Sequence, residues 1–107
     1  MSAIFDSVRV VALVDDLMDR SRIAAAIPGV EFARSLTACA GADVVVVDLA
    51  RHSGDVAGAR AAAPAARLVA FGSHVDEAAL AAAAAAGADV ALARSRFFLD
   101  PAAAIGA

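Results

Sequence analysis

The chain contains no Lys, Asn, Gln, Trp or Tyr, and it has a single Cys. Without Lys there is no amine to form a Schiff base or to pair with an anion, and all nine basic residues are Arg. A lone Cys39 cannot close an internal disulfide, which fits a reducing compartment. All the aromatic residues are Phe, and there are only five of them, so aliphatic side chains must build most of the core. No uncharged apolar run reaches the roughly 18–20 residues of a membrane span. Asp6 and Arg9 interrupt the start of the chain, so no signal peptide is read and a cytoplasmic location is expected. An excess of basic charge is missing too. The net charge of −3 argues against a nucleic-acid surface. No Gly-x-Gly-x-x-Gly or Walker pattern supports nucleotide binding, and no paired nucleophile and base marks an enzyme.

Alanine dominates what is present, with 33 of 107 residues. Each Ala buries little area, so the core is poorer than the 62% apolar fraction suggests. The length suits one domain, residues 1–107, large enough to fold without disulfides or metal. No internal repeat is present.

Periodicity and punctuation alternate strand with helix. Residues 8–14 (VRVVALV) read as a strand covered on both faces. Residues 16–27 read as a helix with Leu17, Ile23 and Ile27 apolar and Asp19, Arg20 and Arg22 polar, stopped by Pro28-Gly29. A weak strand at 30–33 and about one helical turn at 36–40 follow. Four consecutive Val at 44–47 form the clearest buried strand. Helix 55–63, strand 68–71, the Ala-rich helix 76–86, strand 90–92 and a stub of helix from Pro101 to about Ile105 complete the chain. This alternation predicts an α/β fold, a doubly wound five-stranded parallel sheet in the order 2-1-3-4-5, flavodoxin-like, with a truncated last helix.

In such a sheet the ligand site lies at the carboxyl ends of the strands. That rim collects Asp15 and Asp16 after strand one, Asp48 after strand three, Gly72 and Ser73 after strand four, and Arg94 after strand five. Three carboxylates at one edge suit Mg²⁺, and a carboxylate beside that metal can attack phosphorus. The structural alternative is that each Asp caps a helix, for which Asp16 is well placed.

These residues resemble the receiver domains of two-component response regulators, over about residues 8–97. VALVDD (11–16) is similar to the first strand with its acidic metal-binding pair, and DVVVVDL (43–49) to the third strand ending in the phospho-accepting Asp. GSHVDEAALAAAAAAGAD (72–89) has the family's spacing from the fourth strand to a Gly-Ala-Asp turn. The resemblance implies Asp48 as acceptor, Mg²⁺ held by Asp15, Asp16, Asp48 and the Ala50 carbonyl, and phosphate contacts from Ser73 and Arg94. It implies a protein partner, either a histidine kinase or a downstream regulator, with no nucleic acid and no membrane.

The chain also departs from that pattern. The family's Thr/Ser position falls on Gly72, its Lys on Arg94, and its switching aromatic on Ala91. The loop after Asp48 lacks the usual Pro. The inlet of the chemistry is kept and its readout is altered, as in a pseudo-receiver. A phosphorylation-independent dimerisation or interaction module without a metal site, and a small flavodoxin-like ligand binder, are the competing readings. A homodimer through the Ala-rich helix face belongs to the same expectation.

Other residues carry plainer expectations. Ser73-His74-Val75-Asp76 fits a capping box opening the Ala-rich helix. Arg94-Ser95-Arg96 either holds a phosphate or balances the carboxylates. His52 and His74 read as exposed loop residues, Cys39 as a buried inert thiol, and one of Phe97 and Phe98 as packed under the sheet edge.

Overall fold

The structure is a computed structural model, and it describes residues 8–106. Five parallel strands, β1 (Val10–Leu13), β2 (Glu31–Phe32), β3 (Val44–Asp48), β4 (Arg67–Gly72) and β5 (Val90–Ala93), pair in the order β2-β1-β3-β4-β5. This is the expected topology. β1 and β3 align Val11 with Val45 and Leu13 with Val47, and β3 and β4 align Asp48 with Phe71. Every residue of β3 is buried, as a β-branched strand covered on both faces should be. β5 lies at the edge and all four of its residues are half-buried.

The core divides across the sheet. One side packs Val11, Leu13, Val45, Val47 and Leu68 against small residues that include Ala59, Ala63 and Ala83. The other packs Val10, Val46, Val69, Ile23 and Ile27 with Phe71 and Phe97, whose rings stack 4.7 Å apart. Helix α1 (Leu17–Ala26) covers this second side. Its inward stripe differs from the expectation at the first turn, where Leu17 is 76% exposed and Asp19 is buried.

Two short helices were not foreseen. The chain enters α2 (Leu49–His52) directly after β3, and a 3-10 turn (Ser53–Asp55) leads into α3 (Val56–Ala62). It enters α5 (Arg94–Leu99) directly after β5. The expected stub follows as α6 (Pro101–Ala104), with Asp100 accepting the Ala103 N–H at 3.2 Å and Pro101 at the first helical position. The Ala-rich helix α4 (Glu77–Ala85) is capped by Asp76, which accepts the Ala79 N–H at 3.0 Å. Ser73 is therefore not its cap. Its hydroxyl accepts the Val75 N–H at 3.4 Å within the preceding turn. Gly87 ends α4 at φ +121°, and a Cβ there would come within 2.9 Å of the Arg60 side chain. Arg60 reaches across to the Gly87 carbonyl and to Asp89, fastening α3 to the α4–β5 turn. Cys39 ends a 3-10 turn (Leu36–Cys39) and is buried, and burial pushes its thiol pKa up.

Candidate functional site

The carboxyl ends of β1, β3, β4 and β5 bring the predicted residues to one rim. Asp48 is the last residue of β3 and is 3% exposed. Its Oδ1 accepts the Ala50 N–H at 3.0 Å, which turns the chain into α2. Burial raises its pKa above the ordinary carboxylate value. The Ala50 N–H opposes that rise, and the charge of Asp19 adds to it.

The acidic pair is divided between two tasks. Asp16 faces solvent and caps α1, accepting the Asp19 N–H at 2.9 Å. Asp15 accepts from His52 Nε2 at 3.2 Å, with Arg20 at 4.0 Å. That hydrogen bond from His52 holds the Asp15 carboxyl below its usual range.

His52 was expected in an exposed loop. It is instead 8% exposed on α2, and its Nδ1 meets Asp55 at 2.8 Å. Burial works against a charged ring, but the bonds to Asp55 and Asp15 and their charges outweigh it and raise the His52 pKa. The ring thus lies between two carboxylates, which favour its protonated form. His74 is exposed, as expected.

Arg94 lies on the same rim but is already engaged. Its Nη1 and Nη2 donate to the two oxygens of Asp19 at 2.8 and 2.7 Å, a planar fork on a side chain that is 4% exposed. Asp19 raises the Arg94 pKa further. The expectation that Arg94 pairs with carboxylates is met, but by Asp19 rather than by Asp15, Asp16 or Asp48. Its stem and head lie against Phe71 and Phe98, with guanidinium-to-ring distances of 5.8 and 5.0 Å.

Gly72 faces Leu49. A Cβ at 72 would sit 3.3 Å from both Cβ and Cδ1 of Leu49. Any side chain at 72 therefore needs Leu49, the first residue of α2, to give way by a few tenths of an ångström. Ser73, one residue on, is exposed.

A divalent cation fits this donor set poorly. Asp16 is turned to its helix and Asp15 to His52, and among the described residues no group of three or more His, Cys, Asp or Glu side chains is arranged to hold a metal ion. Sequence reasoning missed Asp19, His52 and Asp55. The one signal available was spacing: Asp19 follows the capping residue Asp16 by three residues, and Asp55 follows His52 by three.

No protein-family model matches the chain, and no curated protein matches it. Solved structures do. A response regulator from Burkholderia pseudomallei, determined with a phosphorylated aspartic acid, a calcium ion and citrate, superposes with a TM-score of 0.79 at 19% identity over 92% of this chain. This chain spans 66% of that protein's length. The CheY-like protein tadZ from Pseudomonas aeruginosa gives 0.66 at 22% identity, over 82% of this chain and 87% of that one. The CpaE2 pilus assembly protein from Sinorhizobium meliloti gives 0.59 at 15% identity, over 86% and 95%. Among the described residues no helix is long and apolar enough to cross a membrane. With its five parallel strands in the order 2-1-3-4-5 and its acidic residues at their carboxyl ends, the chain has the fold of response-regulator receiver domains.

Proposed function

We propose that the chain is a pseudo-receiver, a signalling module on the receiver fold that acts through contact with a protein partner rather than through phosphoryl chemistry of its own. The observation that carries this reading is the commitment of the rim's polar side chains. Arg94 is forked onto Asp19 and His52 is held between Asp15 and Asp55, so the charges that would meet a phosphoryl group or a metal are already satisfied within the chain. Leu49 against Gly72 supports it from the other side. The CpaE2 neighbour is consistent with a receiver-like fold in a protein named for pilus assembly. The partner is a histidine kinase, a downstream regulator or a second copy meeting the alanine-rich outer face of α4.

The second reading keeps Asp48 as a phospho-acceptor in a relay, with Mg²⁺ on Asp15, Asp16, Asp48 and the Ala50 carbonyl, and with Ser73 and Arg94 on the phosphate. Asp48 at the end of β3 favours it, as does the phosphorylated aspartate of the Burkholderia neighbour. It requires Arg94 to leave Asp19 and His52 to leave Asp15. Amide NMR with Mg²⁺ and then beryllofluoride, on the wild type and Asp48→Asn, separates the two. The pseudo-receiver reading expects no saturable shift at the amides of Asp48–His52. Shifts centred there that vanish in Asp48→Asn would overturn it.

A further inference from the structure

Beside the acidic rim, α1, the β4–α4 turn and α5 border an open cleft of about 460 Å³. This volume lies within the usual range for small-molecule sites, roughly 300–1,000 Å³. Arg22, Ser73, His74 and Ser95 bring polar groups to it, and Phe98 and Leu99 bring apolar surface. Leu99 is 83% exposed, a large apolar side chain left without cover.

The charges in this cleft are unequal. Arg94 also lines it, but Asp19 neutralises that guanidinium. Arg22 instead lays its guanidinium over the Phe98 ring, 4.3 Å from the centroid, and no described carboxylate lies within 4.0 Å of it. A guanidinium over a ring keeps N–H donors that the ring does not satisfy, and its planar fork suits a carboxylate. On a chain of net charge −3, this is a local positive site beside hydroxyl donors and an apolar wall. One uncompensated positive charge matches a singly charged head, whereas a doubly charged phosphate would leave one of its charges desolvated without a partner.

We propose that this cleft binds a small organic carboxylate, its head on Arg22 and the hydroxyls of Ser73 and Ser95 and its apolar body against Phe98 and Leu99. The site draws on none of Asp15, Asp16 or Asp48. It is independent of the protein-contact role, so the failure of either reading leaves the other standing.

The test is an amide NMR titration of the whole chain with 4-phenylbutyrate. The amine of the same shape, 4-phenylbutylamine, and inorganic phosphate serve as comparison probes. Saturable shifts at residues 21–23, 73–75 and 94–99 are expected with the carboxylate, at concentrations up to about 10 mM. Arg22→Gln should weaken binding about tenfold through loss of a charge-assisted pair, and Ser95→Ala, at an exposed position, should weaken it a few-fold. The same spectra report whether each variant is folded. The proposal is overturned by equal binding of the amine, by unchanged affinity in both variants, by shifts centred on Asp48, or by no saturation with any probe.

Discussion

Replacing Arg94 by Met tests whether the Asp19 fork is a structural fastening or a resting place from which the guanidinium departs. The substitution keeps an apolar stem over Phe71 and Phe98 but removes the charge. Breaking a fully buried ion pair from one side costs about 3–5 kcal/mol, because the other charge is left stranded. Here Asp19 is 4% exposed but Arg94 is 43% exposed, so water reaches one partner. That exposure lowers the expected loss to about 2–3 kcal/mol. In a domain of about 100 residues this lowers the melting midpoint by about 10–20 °C, measurable by far-ultraviolet circular dichroism. Arg94→Lys keeps the charge but cannot fork, so it should lose about 1 kcal/mol. Adding Asp19→Asn to Arg94→Met should recover most of the deficit, since no stranded carboxylate remains. A change under about 0.5 kcal/mol for Arg94→Met would refute the reasoning, because it is what an unattached surface residue gives. The guanidinium would then be free to meet a phosphate at Asp48.

Three further outcomes follow from the rim. His52 has its folded pKa raised above the unfolded value of about 6.5, so its stabilising contribution is fully present below that pH and is lost as pH rises through the folded value. In metal-free buffer the melting midpoint should therefore fall as pH rises above about 6.5, and the same series on His52→Gln should show a flatter dependence. Gly72→Thr presses a Cβ onto Leu49 and should cost about 1 kcal/mol in urea unfolding, while a paired Leu49→Ala should take back at least half of that loss. Asp48 is disfavoured in its charged form by burial, so Asp48→Asn, which still accepts the Ala50 N–H, should raise the melting midpoint at pH 7. A lower midpoint would show that the carboxylate is stabilised by a group not identified at the rim.

The strands were legible because their signals are local and strong. Four Val in a row between two Asp leave little but a buried strand, and Gly29 and Gly87 end the helices they follow. From the alternation of elements the sheet order followed, and with it the meeting of Asp15, Asp16 and Asp48 at one edge. The partners of those residues were not legible, because they are set by side-chain direction across long sequence separations. Arg94 finds Asp19 at a separation of 75 residues, and His52 finds Asp15 at 37. Nothing local marks Asp19 as the buried member of its turn and Leu17 as the exposed one. The fork to Arg94 inverts the hydrophobic pattern there. α2 and α5 were missed because each is a short turn begun by a strand's last residues, with no periodicity long enough to read.

Of the nine residues of α4, Ala83 alone is fully buried. A methyl group removes little apolar surface from water, and a helix of this length has little stability by itself. Its attachment rests on a capping Asp76, the half-buried Leu80 and the backbone bonds that join it to the β5 turn. Such a segment opens locally at a free energy well below that of global unfolding. Its amides should exchange with deuterium sooner than those of Val44–Val47, whichever rim chemistry holds. One face of the sheet is thus rigid, gripped by Phe71, Phe97 and two Ile, and the other carries a detachable shutter. A partner seeking to change the shape of this domain would meet the least resistance at α4.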